Sequence, residues 1–212
     1  NLNIQALAIV GNDLFAGNQF HGAYKLANAS GGGANWVPLN GGSLNAGDAI
    51  YAFAVSAGNT LYAAGYGAVH ALASGASSWT AAGSSLSAYG PTYSIAWSSA
   101  DGAVTVGNGS GIFVLSAGGS AWQFASQGMT ASTVDGLVIA GNGDLYAATS
   151  GQGVQRLAAG TSAWTAVDPA NTSTTIQAIA IDGQGTVFVS SNGTVKKLTG
   201  GTWSTAGTDQ GS

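Results

Sequence analysis

Neither cysteine nor glutamate occurs in this 212-residue chain, and only four side chains are cationic: Lys25, Arg156, Lys196 and Lys197. Without cysteine there are no disulfides, no thiol chemistry and no thiolate metal ligands. Without glutamate, eight aspartates make up the whole acidic complement. Charged residues are 6% of the chain, against roughly 25% in an average domain. No basic patch exists to neutralise phosphates, so nucleic acid is not an expected partner. No apolar run approaches the ~20 residues of a membrane-spanning helix, and membrane insertion is not expected either. The chain begins without Met or a signal-peptide pattern, as a processed mature chain or a trimmed piece of a longer one would. Sparse charge does not imply disorder here, because hydrophobic residues make up 45%.

What is present is glycine, 35 residues without a collagen-like period, placed between short apolar runs. The stretch from Leu137 to Val167 is representative. Runs at Leu137–Ala140, Leu145–Ala148, Val154–Leu157 and Trp164–Val167 are separated by Gly-Asn-Gly-Asp, Ser-Gly-Gln-Gly and Gly-Thr-Ser turns. Such runs read as β-strands, and the turns supply the positive φ angles of tight hairpins. The unit is a four-stranded antiparallel meander.

Three markers repeat it five times. The first is an inner-strand motif beginning at Ala6, Ala52, Ser94, Gly136 and Ala178. The second is an apolar pair after a turn, as in Leu14-Phe15, Leu61-Tyr62 and Leu145-Tyr146. The third is a tryptophan, at Trp36, Trp79, Trp122, Trp164 and Trp203, with spacings of 43, 43, 42 and 39. A period of 40–50 residues with four strands each signifies a β-propeller. The expected fold is all-β: one domain over 1–212, a five-bladed propeller with blades near 1–47, 48–90, 91–132, 133–173 and 174–212. Each blade is one contiguous repeat, so blades one and five are expected to meet through side-chain packing alone. The tryptophans are expected to be mostly buried, on the outer strands. Trp97, standing where other blades carry Ile or Val, reads as local repacking.

The pattern Gly-X-Leu-Tyr-Ala-Ala…Gly-Val…Leu…Gly…Trp (Gly143 to Trp164, and Gly58 to Trp79) resembles secreted bacterial propellers of the Asp-box and NHL type. Blade number and length resemble tachylectin-type lectin propellers. The resemblance implies an extracellular, bacterial-type binding role. The Asp-box signature lacks its aspartate at Ala159 to Trp164, so sialidase chemistry is not implied.

Residues suited to chemistry are few. His21 and His70 have no Glu or Cys beside them, so no metal site, cofactor or triad is expected. Asp13, Asp48, Asp101, Asp135, Asp144, Asp168, Asp182 and Asp209 fall mainly in turns, where Asp bonds its own backbone. The sequons at Asn28, Asn108, Asn171 and Asn192 are near chance for this composition. Two groups suit ligand binding. Phe20, Tyr66 and Tyr89 are aromatics on Gly-rich loops, fit for sugar rings or a protein partner. Gln5, Tyr51, Tyr93, Asp135 and Gln177 precede the inner small residues and form a polar ring at the channel mouth. Strand alternation puts them on the face of Leu7, Phe53, Ile95, Leu137 and Ile179.

These readings converge on a non-enzymatic, extracellular module binding glycans or another cell-surface ligand. The alternative is a self-assembling subunit of a filament, tube or surface layer, in which sparse charge lets neutral faces pack.

Overall fold

The computed structural model describes residues 3–32, 35–130, 133–168 and 175–207; Asn171 and Asp209 lie outside them. Five antiparallel sheets of four strands follow one another, each ordered as the chain runs. They are β1 (Ile4–Val10), β2 (Asp13–Asn18), β3 (Gly22–Leu26) and β4 (Val37–Pro38), then β5 (Ile50–Val55), β6 (Leu61–Gly65), β7 (Val69–Leu72) and β8 (Thr80–Ala81). The third sheet is β9 (Thr92–Trp97), β10 (Val104–Asn108), β11 (Gly111–Leu115) and β12 (Gln123–Phe124). The fourth is β13 (Val134–Ile139), β14 (Leu145–Thr149), β15 (Gly153–Leu157) and β16 (Thr165–Ala166). The fifth is β17 (Ala178–Ile181), β18 (Val187–Ser191), β19 (Thr194–Thr199) and β20 (Thr202–Thr205). These are the five propeller blades that the repeat implies. Hairpins close where a residue takes positive φ between the first two strands, Gly11 at 60° and Asn59 at 58°.

Alternation gives each blade a front, toward the preceding blade, and a back, toward the following one. At the first junction Ala8, Val10 and Phe15 meet Phe53, Val55, Leu61 and Trp79. At the second, Ala52, Ala54, Tyr62 and Ala64 meet Ile95, Trp97, Val104 and Trp122. Ala96 and Ile112 meet Leu137, Leu145 and Trp164 at the third, and Tyr146, Ala148 and Val154 meet Ile179, Val187 and Trp203 at the fourth. Small backs therefore receive large fronts. Each fully buried large apolar side chain contributes about 1.5–3 kcal/mol, so the junctions carry most of the stability. Trp97 is part of its junction, as the repacking reading supposes.

The tryptophans also stitch blades together. Trp79 Nε1 donates to the Leu39 carbonyl, Trp122 Nε1 to Ala82 and Trp164 Nε1 to Ala125, at 2.8, 3.1 and 2.7 Å. Each acceptor lies three residues past the preceding blade's tryptophan. Two expectations fail at the ends. No fifth cluster joins the fifth blade to the first among the described residues. Trp36 is 43% exposed where Trp79 is 1%, and Leu7 and Ile9 are 63% and 69% exposed. The physical cause of the exposure is a missing partner: a front is buried only where the back of another blade lies against it, and among the described residues none lies against the front of the first blade.

Candidate functional site

The polar residue before each inner small residue is a β-bulge. Pairing jumps from Ile4 to Ala6, Ile50 to Ala52, Thr92 to Ser94 and Val134 to Gly136, skipping Gln5, Tyr51, Tyr93 and Asp135. In the fifth blade Gln177 N donates to the Ser190 carbonyl while Ala178 also faces Ser190. A bulge leaves one residue out of the ladder and re-aims its side chain. It also breaks the alternation. Ile50 and Phe53, three apart, both reach Gly17 of the first blade, and Val134 and Leu137 share one cluster. The expectation that Tyr51 and Asp135 share a strand face with Phe53 and Leu137 is therefore incorrect, because the extra residue shifts the phase.

In an antiparallel meander, the start of the first strand and the turn between the second and third lie at one end. All five bulge residues, together with Phe20, Tyr66 and Tyr89, gather there. Tyr51 and Tyr93 touch across the second junction, with ring centroids 5.7 Å apart and planes at 54°. Asp135 accepts a 2.6 Å hydrogen bond from Ser150 Oγ, and Gln5 Nε2 donates to Asn3 Oδ1 at 2.8 Å. Gln177 is exposed. The five thus form local pairings along an open arc rather than one closed ring. Phe20 and Tyr66 are 58% and 65% exposed, whereas Tyr89, 42% exposed, packs on Phe113 at 4.5 Å. The turn that carries Phe20 is held from below, where Asn18 Oδ1 accepts from Phe20 N.

A cavity of about 570 Å³ opens on this face over the second blade, lined by Ser43, Asp48, Tyr51, Tyr66, His70 and Ser87 among others. Its floor is ordered. Ser43 N bonds the Trp79 carbonyl at 2.9 Å, and Ser43 Oγ shares a 2.8 Å hydrogen bond with His70 Nδ1. His70 is 5% exposed; burial lowers its pKa and nearby Asp48 partly opposes this, so the ring is neutral at pH 7. The Asp48 carboxylate accepts from Asn45 N at 2.7 Å and Asn45 Nδ2 at 3.2 Å. Asp48, His70 and the serines are site residues that sequence reading passes over. The one signal was His70, polar where the first and third blades carry Tyr24 and Phe113. His21 is exposed in the turn between β2 and β3.

Asp101 and Asp182 behave as the turn reading supposes, each accepting from the amide two residues on. Asp13 and Asp144 do not: each accepts from an amide fifteen residues away, Asn28 N and Ala159 N, and pairs with a cation on the third strand of its blade, so they tie strands together rather than form turns. Asp144 is buried, which raises its pKa, but Ala159 N, Arg156 and Asn142 outweigh burial and hold it below the ordinary range. Among the described residues no three His, Cys, Asp or Glu cluster as metal ligands would, and no helix is long and apolar enough to cross a membrane.

No sequence profile of a known family matches the chain, and comparison with curated proteins finds no relative. Solved structures do match in fold. The extracellular domain of a putative hybrid two-component system, BT4673 of B. thetaiotaomicron, matches at TM-score 0.71 and 17% identity, over 89% of this chain and 26% of that one. The GH74 enzyme of Niastella koreensis matches at TM-score 0.74 and 17% identity, over 97% and 37%. YCF48 bound to D1 peptide matches at 0.72 and 16%, over 96% and 68%. The chain spans only about a quarter to two thirds of these proteins. Their varied roles show that the likeness carries the propeller fold and no activity.

Proposed function

We propose that this chain is a non-catalytic, extracellular binding module that recognises a glycan or similar polar surface ligand on the bulge-bearing face. The carrying observation is the cavity over the second blade. There Tyr51 and exposed Tyr66 offer aromatic faces, Asp48 offers a carboxylate, and Ser43, Ser87 and neutral His70 offer hydroxyl and imidazole partners. Aromatic walls with a few placed polar groups suit a hydroxyl-rich ring. The extracellular placement is supported by the cysteine-free, charge-poor composition and by extracellular domains among the fold's neighbours.

Glycan-array binding followed by calorimetry tests the reading. Tyr66→Ala and Asp48→Asn should each weaken binding at least about tenfold. Binding that is absent from the parent, or unchanged in both variants, overturns it. The second reading, a structural subunit that self-associates through loop aromatics, rests on the exposure of Phe20 and Tyr66. Phe20→Ser with Tyr66→Ser should then abolish assembly.

A further inference from the structure

The two ends of the blade stack are halves of one interface. The front of the first blade exposes Leu7, Ile9 and Trp36. Their counterparts in later blades, Phe53, Val55 and Trp79 for example, are packed against the preceding back. The back of the fifth blade exposes Ala178, Ala180 and Val195 around half-buried Phe188. Their counterparts Ala52, Ala54 and Tyr62 pack against the following front. Lys197 pairs across the sheet with Phe188 where Arg156 pairs with Tyr146 and is neutralised by Asp144; Thr186 stands at the place of that aspartate, so the Lys197 ammonium keeps to the solvent edge while its stem lines the face. Leu7, Ile9 and Trp36 bring no charge to oppose it.

From these complementary faces we propose that the fifth blade of one copy seats its back on the first blade of a second copy, building a head-to-tail assembly. Every formed junction pairs a back with a following front, and a second copy supplies to each end the partner it lacks. The Trp36 indole then donates to the Ala206 carbonyl of the next copy, the position three residues past Trp203 that the other junctions use. Such a contact is heterologous, closing into a ring of copies or extending as a helical polymer. It does not depend on the ligand cavity or on the loop aromatics, which sit on another surface.

Analytical ultracentrifugation over a dilution series tests this with two double variants, Leu7→Asp with Ile9→Asp, and Ala178→Asp with Ala180→Asp. The parent should self-associate. Each variant should associate at least about tenfold more weakly while its melting temperature in the dilute monomer stays unchanged, since the altered residues are exposed. An equimolar mixture should form dimers that grow no further, because each variant keeps one intact face. The Trp36 fluorescence, isolated as the difference from Trp36→Phe, should shift to the blue on association. A parent that remains monomeric, variants that still polymerise, or folded variants that fail to complement overturn the proposal. A monomer with shielded Trp36 also overturns it, by showing that the stack closes on itself.

Discussion

Trp122 and Trp36 occupy the same place in the repeat and meet opposite surroundings. Trp122 lies in the middle of the stack, 9% exposed, with its indole bonded to the second blade. Trp36 caps the first blade at 43% exposure. The sequence around both obeys one pattern, so the difference comes from neighbours alone. A blade's front becomes core only when another blade's back lies against it, which is the behaviour of a stacked repeat.

The largest test of this contrast is truncation. Trp122→Ala should cost on the order of 3–5 kcal/mol in chemical denaturation. Trp36→Ala, measured at dilutions where the protein is monomeric, should cost less than about 1 kcal/mol. Equal losses would show that the first front is covered within the monomer. Overpacking gives the next effect. Gly107, on the back of the third blade, has no room for a side chain beside Val134, and Gly107→Val should destabilise by at least about 1–3 kcal/mol. Its counterpart on the unpartnered back is Ser190, and Ser190→Val should shift stability by no more than about 0.5 kcal/mol.

Two ion pairs extend the comparison with smaller effects. Arg156 grips Asp144, whose side chain is 5% exposed, at 2.6 Å, while Lys25 meets Asp13, 29% exposed, at the same distance. Asp144→Asn should cost about 1–3 kcal/mol and Asp13→Asn under about 1 kcal/mol. Both folded-state carboxyls titrate below their ordinary value. Their contribution is therefore complete above pH ~4 and disappears as the pH falls through the lowered values. The smallest effect belongs to His70. Its folded pKa is lowered by burial, so the unfolded chain takes up a proton first as the pH falls below ~6.5. Melting temperature should fall over that window, and His70→Phe, which copies Phe113 of the third blade, should flatten the slope.

How far the sequence carries the structure differs by feature. Blades were legible because a strand's two-residue alternation and the tryptophan period are local patterns. Closure was not, because it depends on how four successive junctions orient the blades, which no local pattern states. The bulges were hidden for a related reason. Ile50-Tyr51-Ala52-Phe53 looks like uninterrupted strand, and only the pairing with Ala64 and Gly65 reveals the extra residue. Gln5, Tyr51, Tyr93, Asp135 and Gln177 were found as a set because they share a repeat position. His70, Asp48 and Ser43 were not, since the linker after the first blade brings Ser43 across to Trp79.

The bulge has a consequence for how such a face can change over time. Its residue stands outside the ladder, so an amide, a phenol or a carboxylate fits there without disturbing strand pairing. The five blades already carry three chemistries at that place. A library randomised at Tyr51, Tyr93 and Asp135 alone would therefore sample new binding preferences on an unchanged scaffold.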